Sequence, residues 1–149
     1  MDNIGYLLMK VAKELRYELT NELKSFGITT SQWAVLKRLE IEEKRKSPYD
    51  NRTAVEIASK LDFDKPTISG IITRLFEKGM IKKEPHPNDK RAIILYLTED
   101  AKEIIPKIEL VSDRVIEQSL SSFTTEEREL FLFLLKKMDI KISKGENPR

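Results

Sequence analysis

The chain has 149 residues, with 27 Lys and Arg against 25 Asp and Glu, one histidine and no cysteine. That length can bury a real core without staples, and the lack of thiols removes disulfides, thiolate metal sites and thiol redox chemistry. No apolar run approaches the width of a bilayer, and the start MDNIGYLLMK lacks a basic region and cleavage site, so a cytoplasmic protein without membrane association is expected.

Charge is spread unevenly: the net is −1 over residues 1–43, +5 over 44–96 and −2 over 97–149. A basic middle between weakly acidic flanks suits a nucleic-acid reader with dimerising ends, though other soluble proteins show as much.

Helical spacing of Ile4, Leu8, Val11, Leu15, Leu19 and Leu23 predicts a first helix over residues 3–26, stopped by Gly27. Thr29 with Gln32 reads as a capping box for a helix over 31–43 that buries Trp33, Val35, Leu36 and Leu39. A polar loop, 44–52, follows. Thr53 with Glu56 opens the next helix, and Asp64 caps another that carries Pro66 in its first turn and ends at Gly79. Two strand-like runs, 80–84 and 92–97, flank a tip at 85–91, which reads as a hairpin. Thr98 caps a helix over 99–120, and Thr124 with Glu127 opens the last, 125–142; the tail 143–149 is expected to fray. The fold class is mostly α with one small β-hairpin.

Residues 54–75 say most about function. Ala58 is small where two helices must cross, and Ile57, Leu61, Phe63, Ile68 and Ile71 are placed to share one core. Asp62 takes the turn position that needs a left-handed backbone. Past the turn, Ile68, Ile71, Ile72, Leu75 and Phe76 make an apolar stripe, and the other face shows Pro66, Gly70, Thr73 and Glu77, flanked by Thr67, Ser69 and Arg74. A helix meant for solvation would carry Lys and Glu there, whereas one meant for the major groove needs short donors and close backbone approach. An ordinary core hairpin also fits this segment taken alone.

The run IASKLDFDKPTISGIITRLFEKGMIKKEPHPNDKRAIILYLTEDAKE resembles the MarR family of prokaryotic transcriptional regulators. The likeness is strongest at TISGIITRL (67–75), EKGMI (77–81), DKR (89–91) and LYLT (95–98), the last two matching the family's wing signature. Two departures are visible: Ala101 stands where the family often has Gly, and the 44–52 linker is longer than usual. The resemblance implies a single domain over 1–149. Residues 29–97 would form a winged helix-turn-helix, with 1–28 and 98–142 as dimerisation helices. It also implies a homodimer on a pseudo-palindromic operator in double-stranded DNA, with a reading helix at 65–78 and a wing at 85–91. Expected DNA contacts are Lys65, Pro66, Thr67, Ser69, Gly70, Thr73, Arg74, Lys83, Lys90 and Arg91. Asp89 would orient the wing by an ion pair, and Arg91 would enter the minor groove. Members commonly bind small aromatic or lipophilic anions, for which Lys13, Arg16, Trp33 and Tyr49 are candidates. Trp33, at a core spacing, suits plain core better than a ligand site.

The last helix carries Leu130, Phe131, Phe133, Leu134, Leu135 and Met138 around more than half its circumference, where a surface helix needs one stripe. A second burying surface is implied, with Ile4, Leu7, Leu8 and Val11 of a two-fold mate as its counterpart. A larger monomer core is the alternative.

Catalytic and metal constellations are missing from the pattern. His86 sits alone between prolines at the hairpin tip and is expected to be exposed. Glu42-Glu43 and Glu126-Glu127 read as solvated charges, and no Gly-rich phosphate loop occurs among five glycines. The expectation is no enzyme, no cofactor and no metal. The leading reading is a repressor released by a small ligand. The other readings are an activator, or a winged-helix interaction scaffold that never touches DNA.

Overall fold

The computed structural model describes residues 3–143, so the tail from Lys144, which was expected to fray, lies outside the described residues. The chain divides after Asp113 into two compact units.

The larger unit is set up by local caps. Asn3 accepts from the Tyr6 amide at 3.1 Å and starts α1 (Ile4–Leu23). A 3-10 turn, Lys24–Phe26, follows and closes on Gly27 at φ 66°. Both halves of the Thr29–Gln32 capping box form, at 3.1 and 3.2 Å, and open α2 (Thr30–Lys44). Thr53 accepts from the Glu56 amide to start α3 (Ala54–Leu61). Asp62 is left-handed at φ 60°, as the turn requires, and Asp64 then caps α4 (Lys65–Glu77) by accepting from the Thr67 amide at 2.8 Å.

Past Gly79, β1 (Ile81–Pro85) pairs antiparallel with β2 (Ile93–Leu97), Ile81 opposite Leu97 and Pro85 opposite Ile93. Thr53 adds a single bridge to Ile94, which ties the start of α3 to the hairpin. Thr98 accepts from the Ala101 amide and donates to Gly79 O, joining the hairpin's end to α5 (Glu99–Ser119). Leu36, Leu39, Ile57, Leu75, Leu95 and Ile105 are wholly buried together, so α2, α3, α4, β2 and the first half of α5 share one core. Trp33 belongs to that core. Phe76 does not: it is half exposed, and the Lys83 ammonium sits 4.7 Å from its ring centre.

The 44–52 linker is structured where the sequence showed only a polar loop. Lys46 is left-handed at φ 52°, and Tyr49–Arg52 forms a 3-10 turn. The expectation that Glu42 is a solvated charge is corrected here. Its side chain is only 2% exposed, paired with Lys60 of α3 at 2.9 Å and with Arg38. A hydrogen bond from Ser47, then those from Lys60 and Arg38, outweigh burial and hold its carboxyl down at about 2. Glu43 is occupied as well, accepting from the Leu97 amide at 3.0 Å. The two adjacent carboxylates thus tie α2 to α3 and to the hairpin.

The smaller unit holds the end of α5 and α6 (Thr125–Ser143). A capping box between Thr124 and Glu127, at 2.9 and 3.1 Å, starts α6. Phe123 meets Phe131 edge to face at 5.6 Å, and Arg128 clamps the connection through Glu117 Oε2 at 2.6 Å and Leu120 O at 3.1 Å. Leu130 through Leu135, Met138 and Ile140 are all exposed, as are Ile4, Leu7 and Val11 of α1 in the larger unit.

Candidate nucleic-acid interface

The face of α4 away from the core is short-chained because Ile68, Ile71, Ile72 and Leu75 have taken the buried positions. Lys65, Pro66, Thr67, Ser69, Thr73 and Arg74 are exposed, with Gly70 half-buried among them. Lys65, Ser69 and Thr73 meet Lys83 of β1 along a groove of about 520 Å³. Its floor is Ala58, Ile68, Ile72 and Leu95, and Val55 and Ile93 stand at its exposed edge. Four of the residues singled out from sequence are therefore brought together on one surface.

Thr73 donates its hydroxyl proton to Ser69 O, 2.9 Å away one helical turn back. Its oxygen lone pairs and methyl group remain for an outside partner, so it would read a donor or a thymine methyl rather than an acceptor. A Cβ on Gly70 would meet only the Arg74 Nη1 tip, at 3.2 Å, and an exposed guanidinium can move aside. The fold does not need that glycine. Gly70→Ala is therefore expected to stabilise the protein by about 0.5–1 kcal/mol while weakening whatever packs on α4. Urea unfolding and duplex affinity measured side by side check it, and a parallel loss of both would show that the glycine serves the fold.

At the hairpin tip, Asp89 Oδ1 accepts from the Arg91 amide at 3.0 Å, while the ion pair to Arg91 Nε is long at 3.8 Å. Asp89 therefore shapes the backbone under Arg91 more than it restrains the guanidinium. The Arg91 side chain is 95% exposed, and Lys90 beside it is exposed too.

The four ligand candidates fall at three separate places. Trp33 is buried, Lys13 borders a shallow hollow on α1 with Tyr17, Arg16 is exposed on the same helix, and Tyr49 lines a hollow beside the linker. Sequence reasoning missed three residues here. His86, expected to be exposed, has a side chain only 10% exposed, because its Nε2 lies 2.6 Å from Asp50 Oδ1. Arg52 stands over Tyr49 and Tyr96, 5.3 and 4.9 Å from the ring centres. Burial pushes the Tyr96 hydroxyl up. The only signal in the linker was Tyr49 among charged residues, which names no partner.

A tri-helical core with a left-handed turn before a short-faced helix, followed by a basic two-stranded hairpin, defines a winged helix-turn-helix. Residues 28–93 match the model of the MarR family. Wild-type apo MarR from E. coli is 26% identical with a TM-score of 0.76, over 93% of this chain and 97% of that one. A Cys-to-Ser mutant of E. coli MarR complexed with operator DNA is also 26% identical, TM-score 0.75, over 91% and 92% of the two chains. The S. aureus MepR–DNA complex shares the fold at 24% identity and TM-score 0.79, over 93% and 97%. Residues 28–93 thus match a MarR-family domain, and the chain is similar in fold, over nearly its whole length, to winged helix-turn-helix regulators of that family. Among the described residues no helix is long and apolar enough to cross a membrane.

Proposed function

We propose that this protein is a homodimeric repressor that reads a pseudo-palindromic operator in double-stranded DNA, without enzymatic activity, and is released by a small aromatic or lipophilic ligand. The observation that carries the DNA reading is the pairing of the short, exposed face of α4 with a wing whose Arg91 side chain is almost wholly exposed. The likeness to E. coli MarR bound to operator DNA supports it. In this reading α4 lies in the major groove and Arg91 enters the adjacent minor groove, where A·T-rich sequence narrows the walls and enhances negative potential. The ligand reading is supported by the groove beside α4, where Lys65 and Lys83 border an apolar floor, so an anionic aromatic seated there competes with DNA for the same surface.

Arg91→Ala tests the wing. Its loss is expected to cost about 1–3 kcal/mol of operator affinity, concentrated on sites with A·T flanks, and to leave folding stability unchanged. Lys at the same position recovers only part, because an ammonium holds its water more tightly than a guanidinium. Equal affinity of all three proteins on both flank types would take Arg91 out of the DNA contact, and no binding by any of them would favour the scaffold without DNA contact.

The lysines should behave differently from the reading face. Lys83→Ala or Lys90→Ala is expected to weaken every duplex alike and to lower the salt slope by about one unit per monomer. Ser69→Ala or Thr73→Ala is expected to relax sequence preference at a cost of about 1–3 kcal/mol on the best site. Selection of bound sequences from random duplexes, at two salt concentrations, separates the two classes. An unchanged preferred sequence in the Ser69 and Thr73 variants rules out α4 as the reader.

A further inference from the structure

The hairpin tip is linked to the α2–α3 linker through the only histidine in the chain. His86 Nδ1 accepts from the Asn88 amide at 3.0 Å, and its Nε2 lies 2.6 Å from Asp50 Oδ1. An imidazole that accepts at Nδ1 is neutral with its proton on Nε2, so it donates to Asp50. The His86 amide donates to Ala92 O at 3.2 Å, Ala92 donates back to Asp89 O at 3.1 Å, and Asp89 Oδ1 holds the Arg91 amide. An unbroken series of hydrogen bonds thus runs from Asp50 to the backbone of Arg91.

The other charged or titratable groups around the ring are accounted for. Glu43 of α2 is bonded to the Leu97 amide, and Arg52 lies over Tyr49 and Tyr96. Lys46 of the linker lines the same hollow and is exposed. Asp50 is the carboxylate that answers the imidazole.

We propose that Asp50, His86 and Asn88 form a pH-responsive brace that positions the wing tip and, with it, Arg91. A proton added at Nδ1 turns the acceptor facing the Asn88 amide into a donor, and that bond is lost. The contact with Asp50 becomes an ion pair at the same moment. A proton on the ring therefore grips residue 86 to the linker and frees the Asn88 amide, which loosens the turn that carries Lys90 and Arg91. Asp50 and His86 are positioning residues, acting on DNA only through Arg91.

The proposal rests on the DNA-reading function for its consequence but not for its geometry, and the test keeps the two apart. In the free full-length chain, the lone imidazole and the Asn88 amide are followed by NMR from pH 8 to 5. The two signals are expected to move together across that range. An Asn88 amide that ignores the imidazole overturns the brace, whatever the protein does with DNA.

The second arm measures operator affinity at constant ionic strength for wild type and Arg91→Ala, each with and without His86→Gln. The penalty for losing Arg91 is expected to be about tenfold or more at pH 8 and to shrink below about threefold at pH 5. In the His86→Gln background it should be the same at both pH values. A penalty that stays constant with pH in the protein that keeps His86 overturns the positioning role. Absence of binding by every protein at every pH refutes the proposed function instead, and the NMR arm then decides the brace alone.

Discussion

Glu42→Ala is expected to destabilise the protein by about 2–4 kcal/mol, among the largest losses any single carboxylate here could give. The carboxylate is buried, and its removal strands two cations, Arg38 of α2 and Lys60 of α3, that are partly withdrawn from water. The lower part of the range allows for the two cations still reaching solvent, which softens the penalty of leaving them unpaired. Ser47 loses its partner as well, so the start of the linker loosens along with the α2–α3 contact. Glu42→Gln keeps the shape and some hydrogen bonds, and should fall between wild type and Ala.

The same residue fixes the sign of an acid effect. Its carboxyl is lowered from an ordinary 4.5 to about 2, so its contribution is complete above about pH 4.5 and is lost as pH falls from there towards 2. Urea unfolding of wild type should therefore weaken through that window more steeply than unfolding of Glu42→Gln. Parallel pH curves for the two proteins would mean the carboxylate gains nothing on folding. Asp64 and Glu127 are also held below the usual carboxylate range, by Thr67 and Thr124 respectively, but both are exposed caps and their share is small.

What could be read from sequence divides by distance along the chain. Thr29 with Gln32, Asp64 with the Thr67 amide and Thr124 with Glu127 are bonds across three residues, and each was visible as a short motif. Asp62 was legible for a related reason: a single left-handed residue is a local demand, and Asp meets it. The wing was readable because its strands are adjacent and its tip motif, Asp89-Lys90-Arg91, closes on itself.

The contacts that escaped join distant segments. Asp50 and His86 are 36 residues apart, and Glu43 meets the Leu97 amide across 54. Neither pattern has a period or a cap to announce it. Prolines on both sides of His86 suggested an exposed tip, whereas the hairpin brings that tip back onto the linker. Phe76 misled in the opposite direction: its spacing fits the buried stripe, but α4 turns it outward, where Lys83 covers it. Of the candidate interface, the residues of α4 and the wing were legible, while the groove they share with α3 depends on the packing of Ala58 and Ile72 and was not.

Phe133→Glu is expected to convert the proposed homodimer into monomers without unfolding the chain. On α6 successive residues are about 100° apart, so Phe133 lies about 160° around the helix from Phe131. Phe131 is engaged with Phe123 inside its own unit, and Phe133 remains 61% exposed. Ile140, 54% exposed, falls on the same side as Phe133. One intrachain surface cannot cover both sides of a single helix, so the second side is the natural seat of a partner. Burying one Phe side chain is worth about 1.5–3 kcal/mol, and a two-fold interface contains it twice. The loss is therefore about 3–6 kcal/mol, or about two to four decades in the dimer dissociation constant, before any cost of burying the new charge. Operator affinity should fall with it, because two half-sites one helical turn apart are read together only by linked heads. Phe131→Glu provides the contrast: it removes the Phe123 contact and should reduce helix content as well as association. Sedimentation velocity and far-ultraviolet circular dichroism distinguish the two variants. A Phe133→Glu protein that stays dimeric at micromolar concentration would remove this face of α6 from the interface, and with it the main support for dimerisation through the termini.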